Sequence, residues 1–92
     1  MAEIERVKTI QLTTPLEDVA QKISYTQLEL KAPTLSQAEQ FYEKQSSSTS
    51  LAAMRLLIAL VTGTRESLLQ PMDFIDFRKC EEYLLSFLTW KP

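Results

Sequence analysis

Residues 23–40, ISYTQLELKAPTLSQAEQ, decide the fold, because the hydrophobic period changes within them. Up to Lys31 the period is two: Leu28 and Leu30 share one face, and Ile23, Tyr25 and Thr26 favour a strand. After Pro33, Thr34-Leu-Ser-Gln37 and Ser36-Gln-Ala-Glu39 both have capping-box spacing, in which a hydroxyl accepts from an exposed helix N–H and the residue three on reaches back. Leu35, Ala38, Phe41 and Tyr42 then recur at spacings of three and four, which predicts a short amphipathic helix over about residues 34–45.

Towards the N-terminus, Val7 to Leu12 read VKTIQL with Ile10 and Leu12 on one face, so a first strand is expected there. The segment between the strands, TTPLEDVAQK, is polar and contains Pro15, which predicts an antiparallel hairpin over residues 7–31 with a long loop. Towards the C-terminus, the serine run Gln45 to Ser50 reads as a loop. Residues 51–62, LAAMRLLIALVT, are apolar on nearly every side, as befits a helix buried against several neighbours, and Gly63 supplies its stop. One further turn is expected over Arg65 to Gln70. A last helix over residues 73–89 starts at Asp73, with Phe74, Phe77, Cys80, Leu84, Phe87 and Leu88 as its apolar stripe. The predicted class is α+β: an N-terminal antiparallel β-hairpin followed by three helices in a small single domain spanning residues 1–92, without internal repeats.

Ninety-two residues suffice for one core but not two, and 45% hydrophobic with 24% charged residues is ordinary for a folded chain. Ten Lys plus Arg against twelve Asp plus Glu give a net charge of −2, with no excess of cations to neutralise a phosphate backbone. The helices flanking Gly63 could imitate a helix-turn-helix, but Asp73, Asp76, Glu81 and Glu82 on the last one would repel DNA, so no nucleic-acid partner is expected. The opening MAEIERVKTIQL lacks the apolar region of a signal peptide. The longest apolar run, Met54 to Val61, is broken by Arg55 and falls far short of the roughly 20 residues of a membrane helix. With a lone Cys80 that cannot form an internal disulfide, the cytoplasm is the expected location.

Catalytic chemistry is hard to build from these residues. Without histidine there is no common general base and no common metal ligand, and one cysteine cannot make a thiolate zinc site. A single glycine excludes a glycine-rich phosphate cradle. The acidic pairs Asp73/Asp76 and Glu81/Glu82 could suggest a cation site, but a cap, a first-turn charge and a solvated face explain them better. No cofactor, metal or catalytic residue is therefore expected, and Cys80 reads as a small core hydrophobe. Trp90, close to the end of the sequence, either closes the core, the favoured reading, or serves as an exposed anchor.

The order of segments resembles the small tail assembly chaperones of long-tailed phages and prophages. IQLTTPL followed by ISYTQLELKAPTLSQAEQ resembles the family's strand, proline turn, second strand and proline-led helix. LLIALVTGTRESLLQPMDFIDFRKCEEYLLSFL resembles its apolar helix, Thr-Gly break, leucine-rich turn and aromatic-aliphatic final helix. On the family's pattern Pro33, Leu60, Gly63, Leu69, Asp76 and Phe87 correspond, and they are expected to determine the fold before they contact partners. The resemblance implies a cofactor-free, non-structural protein that binds the tape measure protein, keeping its helices soluble in the bacterial host's cytoplasm until tube subunits polymerise around it. In many members a ribosomal frameshift yields a longer product, with which the ending Trp90-Lys91-Pro92 is compatible.

Two other functions fit the same residues: a small cytoplasmic adaptor or regulator blocking a folded partner, and a minor structural subunit of the tail. A neighbouring gene for a long, helix-rich protein favours the chaperone. The expected client surface is Leu68, Leu69, Phe87, Leu88 and Trp90, because residues beside Pro71 and near Pro92 should be less enclosed than the central helix. Self-association is expected to be weak at most.

Overall fold

The computed structural model describes residues 5–91, and in it the two period-two segments pair as an antiparallel two-stranded sheet. The strands are Val7–Asp18 (β1) and Ile23–Lys31 (β2). Helices follow at Leu35–Ser47 (α1), Ser50–Thr62 (α2), Glu66–Leu69 (α3) and Phe74–Leu88 (α4). The chain is thus an α+β hairpin-then-helices protein, with the expected extra turn present as α3.

The hairpin departs from the long-loop expectation. Its register runs from Val7 opposite Lys31 to Gln11 opposite Gln27, then resumes at Leu16 opposite Tyr25. Leu12 to Pro15 therefore stand against Thr26 alone in an enlarged bulge, where Pro15 need not donate to the ladder. β1 continues to Asp18, and Leu16 and Asp18 are buried. The connection shrinks to Val19–Lys22, closed by the Lys22 N–H donating to the Val19 carbonyl, with Lys22 in the left-handed region at φ 56°.

Of the two capping boxes, the chain uses the first. The Thr34 hydroxyl accepts from the Gln37 N–H, and the Gln37 side chain accepts from the Thr34 N–H. The serine run is mostly helical: α1 extends to Ser47, and α2 begins at Ser50 after Thr49 caps it by accepting from the Ala52 N–H. A short break suffices because that cap satisfies a donor the helix start leaves free. Gly63 ends α2 at φ 74°, the left-handed conformation that glycine adopts most cheaply.

The core lies between one face of the sheet and the helices. Ile10, Leu28 and Leu30 meet Met54, Leu57 and Ile58 of α2 and Cys80, Tyr83 and Leu84 of α4. α2 packs against β2, α1, α3 and α4, the central position its all-round apolarity predicts. Leu30, Leu57 and Leu84 are wholly enclosed, each contributing about 1.5–3 kcal/mol of transfer free energy. The stripe expected on α1 is reduced to Phe41, whereas Leu35 and Tyr42 are exposed.

Candidate functional site

Asp73 caps α4 as expected, its Oδ1 accepting from the Ile75 N–H. Asp76 is not the solvated first-turn charge that its position suggests: it is completely buried. Its carboxylate accepts from the Thr13 N–H at 2.9 and 3.0 Å, the Thr13 hydroxyl at 3.2 Å and the Thr14 N–H at 3.3 Å, with Lys79 Nζ at 3.5 Å. Burial pushes its carboxyl upward, but the bonds from Thr13 and Thr14 and the Lys79 charge outweigh this and hold it below the usual aspartate range. The β1 bulge and Asp76 thus explain each other: two successive amides turn outward from the ladder, and a carboxylate on α4 receives both.

A second carboxylate anchors the hairpin's other end. Asp18 receives both terminal nitrogens of Arg65, at 2.8 and 3.0 Å, and the Gln21 N–H. The Arg65 bond, larger than the opposing effect of burial, keeps the Asp18 carboxyl low. Cys80 is fully buried, and burial, reinforced by the nearby Asp76 charge, pushes its thiol up to about 12, so it is not a nucleophile at neutral pH. Among the described residues, no group of three or more His, Cys, Asp or Glu is placed to hold a metal ion. No helix among them is long and apolar enough to cross a membrane.

Binding capacity lies in exposed apolar groups. Between α2 and the start of α4 is a groove of about 150 Å³, with Ile58 and Leu69 below, Leu51, Met72, Phe74 and Phe77 around it, and Arg55 and Gln70 completing its lining. That volume matches a cavity that holds one benzene ring, hence one large apolar side chain. Leu51 and Phe74 are about half exposed, at 52% and 54%. The Phe74 ring is ordered despite this: it stacks on Phe77 with centroids 5.7 Å apart, and the Arg78 guanidinium lies 4.6 Å from its centroid on the way to pairing with Glu81. Ile75, the next residue of α4, is also exposed but does not line the groove.

The five residues expected to form the client surface fall into two groups. Leu68 and Leu69 are core residues, at 5% and 4% exposure, so the expectation that they are weakly enclosed is corrected: α3 lays them against α2 and β1. Leu69 still reaches the groove floor. Phe87, Leu88 and Trp90 lie at the opposite end of α4, about 21 Å along the helix from Phe74. Phe87 and Leu88 are half-buried against the core, while Trp90 is 55% exposed, contrary to the core-closing role favoured by its sequence context. Phe74 reads from the sequence as the first residue of the α4 apolar stripe, but that stripe enters the core only further along the helix, at Cys80 and Leu84, which leaves Phe74 exposed.

Gly63, Leu69 and Asp76, three of the positions in the resemblance, have structural roles as helix stop, core residue and bulge anchor. No curated protein and no solved structure matches this chain. A family model described as phage tail assembly chaperone proteins, E, or 41 or 14, matches residues 9–89, a span from the first strand past the end of α4. With all of the hairpin beyond Lys8, the four helices and the bulge anchor inside that match, the chain belongs to the phage tail assembly chaperone family.

Proposed function

We propose that this chain binds the tape measure protein of a phage tail in the cytoplasm of the bacterial host and holds its hydrophobic helices in solution while the tail is assembled. Membership of the family supports a protein client in the tail, and the role needs neither cofactor nor catalytic step. The observation that carries the reading is the groove under Phe74, where half-exposed apolar side chains surround room for one anchor residue. An amphipathic client helix would insert one apolar side chain there and lay those at i+3 and i+4 along Leu51 and Phe77. Trp90 is proposed as a second contact, with Phe87 and Leu88 supporting it from the core. Leu68 and Leu69 would act from beneath, Leu69 as groove floor and Leu68 by holding α3 in place.

Co-expression with the tape measure protein tests the reading. The intact chain should keep that protein in the soluble fraction, and Phe74→Ala and Trp90→Ala should each weaken binding by about 2 kcal/mol or more if they remove anchors. Circular dichroism must show both variants folded. Full solubilisation by a folded Phe74→Ala/Trp90→Ala double variant would remove this surface from the reading, and failure of the intact chain to solubilise the client would remove the client itself.

A further inference from the structure

We infer that the outer edge of β2 pairs with the same edge of a second copy of this chain, joining two hairpins into one four-stranded sheet. The Ala32 N–H donates to the Arg6 carbonyl at 2.7 Å. Since residues of an antiparallel ladder face the partner strand alternately, Lys8, Ile10, Leu28 and Leu30 direct their backbone groups inward to the ladder. Val7, Thr9 and Gln11 then face one outer edge, and Gln27, Glu29 and Lys31 the other.

The two edges differ. On the β1 side α4 has already taken positions: the Tyr83 hydroxyl donates to the Glu5 carbonyl and Lys79 Nζ to the Gln11 carbonyl. Lys8 also sits on the helix-facing side of that edge, 5.9 Å from the Tyr83 ring, and an inward charge of this kind obstructs strand addition. On the β2 side, no hydrogen bond among the described residues reaches the outward backbone groups of Gln27, Glu29 or Lys31. All three residues are exposed, and neither proline nor bulge interrupts residues 27–31.

Charge selects the occupant. If a second β2 is inverted about Leu30, Glu29 lies opposite Lys31 of the second copy and Lys31 opposite its Glu29. Both are outward-facing positions, so these charge-matched pairs are also the ones that exchange backbone hydrogen bonds. Inversion about Glu29 would set like charges face to face. A closed two-fold contact of this kind uses one patch twice and leaves no new edge of β2. Pro33 keeps the ladder short, so the dimer should be weak, with dissociation in the micromolar to millimolar range. The groove under Phe74 takes no part in it, which keeps this contact separate from client binding.

Sedimentation equilibrium of the full chain across micromolar to millimolar concentrations should show a monomer–dimer equilibrium. Glu29→Lys or Lys31→Glu alone should weaken it at least about tenfold, and the double exchange E29K/K31E should restore it to within about threefold. Glu29→Pro removes an outward N–H and no ladder bond, so it should abolish the dimer while the monomer keeps its cooperative thermal transition. A chain that stays monomeric at the highest concentration would overturn the inference, as would strand addition by an extended client peptide alone. So would a dimer that survives Glu29→Pro or is lost on Phe74→Ala.

Discussion

Asp76 receives the Thr13 and Thr14 amides and the Thr13 hydroxyl on one carboxylate. Asp76→Ala would take from both amides the acceptor they share, at a cost of about 2–3 kcal/mol against a total stability of roughly 5–10 kcal/mol. Thermal denaturation should show the midpoint lowered by about 10–20 °C; an unchanged midpoint would mean that water replaces the carboxylate at no cost. Only half of this acidic pair is legible in the sequence. A cap such as Asp73 is local, set by the next two residues, and is visible in the pattern. The role of Asp76 depends on a partner 63 residues away, and no local pattern carries that information.

Among the elements, α2 was the most legible, because a helix apolar on all sides has only one stable place, the centre. Leu57 is fully enclosed there. Leu57→Asp should abolish the cooperative thermal transition, since an unpaired buried charge costs several kcal/mol, comparable with the whole stability. Retention of that transition would place α2 at the periphery. The hairpin was legible in its pairing but not in its extent. Thr13, Thr14 and Pro15 read as strand breakers, and they become part of β1 only because α4 supplies the acceptor their bulge requires. α1 misled in the opposite sense: its spacing promised a full stripe, yet it packs against α2 and buries Phe41 alone.

At the scale of the molecule, two low carboxyls link folding to pH. Asp18 and Asp76 both titrate below the ordinary value of 3.8 in the folded chain, so folding favours their charged forms. Their contribution is complete above that value and is lost as pH falls towards and through the folded values. Denaturation midpoints should therefore hold steady above pH 5 and decline below about pH 4, with a shallower decline in Asp76→Asn. An equal acid slope in that variant would assign the effect to other groups. The candidate binding surface was the least legible feature at this scale. Exposure of Phe74 and Trp90 depends on how α4 lies across the sheet and on which residues the short α3 covers, and neither is written in a local period.

The bond from Thr13 to Asp76 also bears on synthesis. A ribosome adding about 5–20 residues per second needs roughly 3–13 s to make the 63 residues that separate them. Throughout that interval the hairpin has left the peptidyl-transfer centre without the carboxylate that fixes its bulge. The bulge is therefore the last part of the hairpin to be fixed, once α4 has emerged, and until the helices arrive the apolar face bearing Ile10, Leu28 and Leu30 is open to other chains being made nearby.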